Sequence, residues 1–97
     1  MTRFELSREA TNDLNGIVDD TVERWGKNQA HAYVDALQGR LTELAHQPRL
    51  GSQRNELAEG LLSFPFESHV IFYEHAEVGT TVVRILHKRQ DALTHFE

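Results

Sequence analysis

The chain has 97 residues, of which 39% are hydrophobic, and its formal net charge is −5 at pH 7, which predicts one domain over residues 1–97. The lack of cysteine excludes a disulfide framework, and the acidic balance argues against direct DNA binding by this chain alone. The charged start "MTRFELSREA" and the lack of an apolar run of ~20 residues predict a cytoplasmic protein without membrane contact.

The first quarter of the chain predicts a short strand and a helix. The segment "RFEL" (3–6) has a strand pattern, and Ser7 is placed to cap a helix. Apolar residues then recur at steps of three and four as far as Trp25, and Gly26 is a natural helix end. Acidic residues such as Asp13 are expected on a solvated helix face, and Trp25 is expected in the core, where it would join the helix end to the strands.

A second helix follows almost at once. Apolar residues from Ala30 to Ala45 trace a single stripe, and Asn28 can cap this helix. The link "GKN" is so short that the two helices should lie antiparallel with facing stripes. Pro48 ends the second helix, and the polar segment 49–60 is expected to be a loop.

The last third of the chain predicts three strands. They cover 61–66, 68–75 and 80–87, and the last two should pair as an antiparallel hairpin. Pro65 suits an edge position, because proline cannot donate to a strand ladder. The predicted order is β-α-α-β-β-β. This is an α+β domain with an antiparallel sheet packed on one face by the antiparallel helical hairpin.

Both faces of the predicted hairpin are apolar. One helical hairpin covers only one face, and an uncovered apolar face is typical of a partner surface. The alternative is that the C-terminal tail, with Leu93 and Phe96, folds back over it. Strand alternation assigns five residues to this second face. They are Val70, Phe72, Val82, Arg84 and Leu86.

Cationic side chains gather near the C-terminus, in "VVRILHKRQD". Arg84 and Lys88 could stabilise a phosphate, and His87 could act as a general acid or base, which defines a nuclease interpretation. Arg84 and His87 are three positions apart and point to opposite faces of a regular strand, which argues against one catalytic site. The alternative is a sheet-face arginine, a strand-end histidine and a solvated pair, Lys88 and Arg89.

The six histidines do not have the spacing of a metal site. His69 and His87 could oppose each other across the hairpin, but two imidazoles without a carboxylate or thiolate make a poor site. The sequence also lacks a nucleophile elbow and a phosphate-binding glycine loop. Neither a metal nor another cofactor is therefore predicted.

Five phrases, in order along nearly the whole chain, resemble the ParE toxins of bacterial toxin–antitoxin systems, within the wider RelE/ParE group. They are "LSREATNDLNGI", "WGKNQAHAYVDAL", "LAHQPRLG", "GLLSFPFESHVIFYE" and "VVRILHKRQD". The resemblance implies a β-α-α-β-β-β fold and a hetero-oligomer with a ParD-like ribbon-helix-helix antitoxin, whose C-terminal segment lies along the helical hairpin and the sheet. It implies a toxin that traps DNA gyrase with broken DNA, and thus an inhibitor rather than an enzyme.

The resemblance also suggests where partners bind. The antitoxin is expected on the second face, and the target on the exposed cationic ending formed by His87, Lys88 and Arg89. A second interpretation is a ribosome-dependent mRNA endoribonuclease of the RelE type. Arg84 and His87 stand at about the places this requires, but no tyrosine follows, and the net charge is unfavourable for ribosomal RNA. The family resemblance is also compatible with an inactive toxin that serves only as an antitoxin-binding co-repressor, and with a toxin of another nucleic-acid enzyme.

Overall fold

The computed structural model describes residues 3–77 and 79–96. The chain has the predicted β-α-α-β-β-β order, with a two-residue strand in the expected loop and a short C-terminal helix that were not predicted. The elements are β1 (Phe4–Leu6), α1 (Arg8–Trp25), α2 (Lys27–His46), a 3-10 turn (Pro48–Leu50), β2 (Ser52–Gln53), β3 (Leu62–Phe66), β4 (His69–Ala76), β5 (Gly79–His87) and α3 (Ala92–His95).

Local chemistry explains the limits of the two long helices. The Ser7 hydroxyl oxygen accepts a hydrogen bond from the Ala10 N–H at 3.0 Å and donates one to the Val83 carbonyl at 2.7 Å, so the cap also joins α1 to β5. Gly26, with φ at 93°, ends α1 and begins α2, in a conformation that strains other residues. The predicted cap Asn28 is wrong, because it lies inside α2.

The five strands form one sheet in the order β1-β5-β4-β3-β2. The strands β3, β4 and β5 are antiparallel as predicted, and the unpredicted β2 is also antiparallel to β3. By contrast, β1 runs parallel to β5, so the sheet is mixed rather than wholly antiparallel as predicted. Pro65 pairs with Val70 in the part of β3 that extends past β2, as its edge preference requires. The ladder of β1 ends at Leu6, opposite Val82, and leaves the rest of that edge of β5 without a strand partner.

A one-residue bulge divides β5. Phe72 pairs with Arg84 while Tyr73 pairs with Val82, so Val83 is the additional residue. Val82 is therefore fully buried with Tyr73 beneath the helices, and Val83 packs on the other face with Phe72. The prediction that Val82 shares a face with Phe72 is wrong, because it assumed an unbroken alternation along β5.

The main core lies between the sheet and the two long helices. Its buried side chains come from α1, α2 and the three longest strands. They are Ala10, Leu37, Leu41, Leu44, Phe66, Ile71, Tyr73, Val82 and Ile85.

A second, smaller core covers the opposite face of the sheet. Phe72 and Leu86 are each only 2% exposed, and Leu61 is buried beside them. The Phe96 ring packs on Phe72 with 5.1 Å between centroids, and residues of the 54–60 loop complete the cover. The expectation of an uncovered apolar face is wrong. The alternative is correct for Phe96, because the tail folds back, although Leu93 points outward and is 52% exposed.

Trp25 lies outside both cores. Its side chain is 73% exposed at the last position of α1, so the predicted core role is wrong. Among the described residues, no helix is long and apolar enough to cross a membrane.

Candidate functional surface

Arg84 is held by an acidic residue of the first helix. Its Nε lies 2.8 Å from Asp13 Oδ2 and its Nη2 lies 2.9 Å from Asp13 Oδ1. Asp13 Oδ2 also accepts the Ile85 N–H at 2.9 Å, at the edge of β5 that β1 leaves uncovered. The hydrogen bonds that Arg84 donates to Asp13 raise the pKa of Arg84, while partial burial opposes this shift. The expectation that Asp13 belongs to a solvated face is wrong.

This pair changes what Arg84 can do. Both side chains are mostly buried, with 20% of Arg84 and 15% of Asp13 exposed. The carboxylate neutralises the charge that a phosphate site would use, and it directs the guanidinium toward α1 rather than into the second core. Arg84 therefore has a structural explanation, and neither the nuclease interpretation nor the predicted antitoxin face has a free arginine here.

A cleft of about 550 Å³ opens between the two long helices and the adjoining ends of β3, β4 and β5. The exposed ring of Trp25 lines one wall of the cleft, which Tyr33 and Phe66 also line. His69 and His87 line the sheet side. The cleft therefore combines aromatic surface with two imidazoles, and it places the cationic ending of β5 at its border.

Tyr33, His69 and His87 form a row across this cleft. His69 pairs with His87 in the ladder, and their rings are 5.4 Å apart in an edge-to-face arrangement. The Tyr33 hydroxyl lies 3.1 Å from His69 Nδ1. Burial, with a smaller effect of Glu67, raises the pKa of Tyr33 to about 12. Burial and then His87 lower the pKa of His69, against a weaker opposite effect of Asp20.

The last residue of β5 and the three residues that follow it, residues 87–90, form a basic tip. The side chains of Lys88 and Arg89 are exposed, as predicted for a solvated pair. The backbone N–H of Arg89 donates to His87 Nδ1 at 3.1 Å, and the His87 N–H donates to Gln90 Oε1 at 2.7 Å. A backbone N–H can only donate, so neutral His87 carries its proton on Nε2.

The same hydrogen bonds bear on metal binding. Nδ1 of neutral His87 accepts the Arg89 N–H, which leaves a proton rather than a lone pair on its Nε2. Within residues 3–77 and 79–96, no group of three or more histidine, cysteine or acidic side chains is arranged to hold a metal ion.

The outer side of the helical hairpin carries a shallow apolar groove of about 300 Å³. Val18 and Val22 of α1 and Ala30 and Val34 of α2 line this hairpin groove, with Lys27 and His31 beside them. The sequence pattern assigns these valines to the apolar stripes through which the two helices are predicted to face each other. The sequence feature that indicates a second apolar surface is the pair of adjacent apolar residues in each helix, 17–18 and 33–34. These pairs make each apolar stripe wider than one contact face requires.

Comparison with known proteins shows the family of this chain. The family model described as "ParE toxin of type II toxin-antitoxin system, parDE" matches residues 4–92. This chain belongs to the ParE toxin family. Toxin ParE1 of Mycobacterium tuberculosis is 38% identical over 91 residues, which cover 93% of each chain. Toxin ParE1 of Caulobacter vibrioides is 34% identical over 95 residues, which cover 98% of each chain.

The fold of this ParE toxin also occurs in a solved structure. A chain of the "Chromosomal ParDE TA system from P. aeruginosa" superposes with a TM-score of 0.74 over 90% of this chain and 96% of that chain. Its sequence is 20% identical, so this likeness concerns the fold. With the family match, it confirms the predicted α+β fold class, and the chain is a ParE-type toxin of a type II toxin–antitoxin system.

Proposed function

We propose that this ParE toxin acts in the cytoplasm, where it inhibits DNA gyrase by trapping the complex of gyrase with cleaved DNA. The basic tip is the proposed contact with the target. The observation that supports this proposal most is the contrast between exposed cations and a cation that is already neutralised. Lys88 and Arg89 are exposed at the end of β5, whereas Arg84 is neutralised by Asp13.

An inhibitor that acts by binding needs an exposed, ordered patch, and arginine is among the residues most frequent at the energetic centres of interfaces. A nuclease needs free groups arranged around one phosphate. Of the residues in the nuclease interpretation, Arg84 is engaged by Asp13, and Nδ1 of His87 is engaged by a backbone N–H. The described geometry therefore favours the inhibitor.

The proposed antitoxin partner is a ParD-like ribbon-helix-helix protein in a hetero-oligomer with this chain. Its C-terminal segment occupies the hairpin groove, because an apolar groove between two helices fits the apolar side of an amphipathic helix. The second face of the sheet is a weaker candidate than the sequence suggested, since Phe72 and Leu86 are buried there and Val82 lies on the opposite face, beneath the helices.

The first experiment is a gyrase assay. Toxin freed of antitoxin is mixed with gyrase, supercoiled plasmid and ATP, and protein-linked linear DNA is measured. We expect linear DNA that disappears when the antitoxin is added first. The double variant Lys88→Glu/Arg89→Glu should give none and still bind the antitoxin. The control Arg8→Glu/Arg49→Glu makes the same charge change at two other exposed arginines and should remain active.

Absence of linear DNA from a folded toxin that binds its antitoxin would overturn the gyrase proposal. The same sample would then be added to a translating ribosome mixture. Cleaved mRNA there would assign the RelE-type endoribonuclease activity. Intact mRNA would leave a toxin of another target or a chain that only represses together with its antitoxin.

A further inference from the structure

Each backbone N–H of the basic tip donates a hydrogen bond within the protein. The His87 N–H donates to Gln90 Oε1 at 2.7 Å, and the Gln90 N–H donates to the His87 carbonyl at 2.9 Å. The Lys88 N–H donates to the Ser68 carbonyl at 2.9 Å, and the Arg89 N–H donates to His87 Nδ1 at 3.1 Å. Every backbone N–H of residues 87–90 thus has an acceptor within the protein, although the tip is exposed and water could reach it.

We infer that Gln90 and His87 are positioning residues that hold the basic tip in its target-binding conformation, and that a proton on His87 opens the tip. The inference rests on the proposed function, in which Lys88 and Arg89 contact the target. Neither positioning side chain needs to contact the target itself, because each acts through the backbone of the tip.

Gln90 and His87 close the tip from opposite ends. The Gln90 side chain folds back toward the end of β5. Its Oε1 accepts a hydrogen bond from the His87 N–H, which is the last N–H of that strand. His87 Nδ1 accepts the N–H two residues ahead, the position that an asparagine oxygen occupies in an Asx turn. A tip closed in this way loses little backbone freedom when a partner binds, whereas an open tip must be ordered at that moment.

The Nδ1 acceptor exists only while His87 is neutral, because an imidazolium donates from both nitrogens. The charged and titratable groups around His87 include Lys88 and Arg89 on its own segment and the His69 ring 5.4 Å away on β4. Asp20 and Arg24 of α1, which form an ion pair, and Glu67 of the β3–β4 turn line the same cleft. When the pH falls through the range in which histidine titrates, a protonated Nδ1 becomes a donor. It can then no longer accept the hydrogen bond from the Arg89 N–H.

Four substitutions separate this role from a merely structural one. Gln90→Ala removes the side-chain acceptor, while Gln90→Glu keeps one at the same reach. His87→Phe keeps an aromatic ring without an acceptor, while His87→Asn supplies an oxygen for the Arg89 N–H and does not titrate. A hydrogen bond of ordinary net strength corresponds to roughly a three- to tenfold change in an equilibrium. Effects of that size are expected for Gln90→Ala and His87→Phe.

The first measurement uses the isolated, ¹⁵N-labelled toxin. The protection factor of the Arg89 amide against hydrogen exchange should fall roughly three- to tenfold in Gln90→Ala and His87→Phe, and in the wild type between pH 7 and pH 5. His87→Asn should retain protection at both pH values. Equal protection in the wild type, Gln90→Ala and His87→Phe would overturn the inference, whatever the target is.

The second measurement is the toxin concentration that gives half-maximal linear DNA with gyrase. It should rise by about the same factor for Gln90→Ala and return toward the wild-type value for Gln90→Glu. An unchanged concentration for variants that lost Arg89 protection would overturn the positioning role. If the protection factors change as expected but the wild type traps no gyrase, the gyrase proposal is rejected and the closed tip is supported.

Discussion

The Asp13 carboxylate binds the Arg84 guanidinium at two points and the main chain of β5 at a third, across 71 residues of sequence. It stands where the short strand β1 has ended, and it supplies the acceptor that a longer strand would have supplied. One side chain thereby joins α1 to the sheet and neutralises a mostly buried cation.

Asp13→Ala should therefore lower the free energy of unfolding by about 2–4 kcal/mol, because it leaves a partly buried guanidinium and the Ile85 N–H without their acceptor. Urea unfolding followed by far-UV circular dichroism measures this. Asp19→Ala removes an exposed carboxylate from the same helix and should change the free energy by less than about 0.5 kcal/mol. Similar values for the two variants would show that the pair does not stabilise the fold.

Phe96→Ala should destabilise the chain by about 1–3 kcal/mol, because it uncovers Phe72 in the second core. Leu93→Ala is the matched control, since Leu93 lies in the same segment and is largely exposed. The measurement is again the free energy of unfolding. A larger loss from Leu93→Ala than from Phe96→Ala would contradict the folded-back tail.

Phe72→Asp should unfold the chain. The aspartate would carry an unpaired charge into the second core, where Phe72 is enclosed by the tail and the 54–60 loop. Loss of the far-UV helical signal is the readout. A folded variant that had only lost its antitoxin would restore the sequence-based interpretation of this face as a binding surface.

Val22→Asp and Val34→Asp should each weaken antitoxin binding by at least roughly tenfold, because a charge in the hairpin groove meets the apolar side of the proposed helix. Calorimetric titration with the antitoxin measures the affinity. Ala32→Asp adds the same charge to α2 on the cleft side and should leave the affinity within about twofold of the wild type. Equal weakening by all three would argue that charge alone, rather than the groove, decides binding.

The free energy of unfolding should decline as the pH falls below the ordinary histidine pKa of 6.5, through the contribution of His69. Burial lowers the pKa of folded His69, so the unfolded chain takes up the proton first. This contribution is complete above pH 6.5 and is lost as the pH falls through the lowered folded pKa. Chemical denaturation at a series of pH values should give a shallower dependence for His69→Asn. An identical dependence would exclude the contribution of His69.

Much of the fold followed from local chemistry. Ser7 and Gly26 mark helix limits in the sequence itself, and strand patterns predicted β3, β4 and β5. The errors concern features that distant parts of the chain decide. Val82 changes face because of a bulge, and Asp13 is mostly buried because it bonds to Arg84 and to the edge of β5 that the short β1 leaves open. Trp25 is exposed on a wall of the cleft at the end of α1.

In the candidate site too, local patterns predicted some features, whereas contacts between distant residues could not be predicted. The position of Lys88 and Arg89 after the last strand was enough to predict their exposure, and the opposition of His69 and His87 was foreseen from the hairpin. The contact of Tyr33 with His69 joins residues 36 positions apart on different elements, so no local pattern could indicate it.

The exposure of Trp25 determines how this toxin can be followed in solution. It is the only tryptophan of the sequence, and its indole is already largely in water when the chain is folded. Unfolding should therefore shift its fluorescence emission very little, whereas a partner that closes over the cleft should move the emission to shorter wavelength. Intrinsic fluorescence then reports docking while circular dichroism reports folding, and the two events can be read as separate signals from one unlabelled sample.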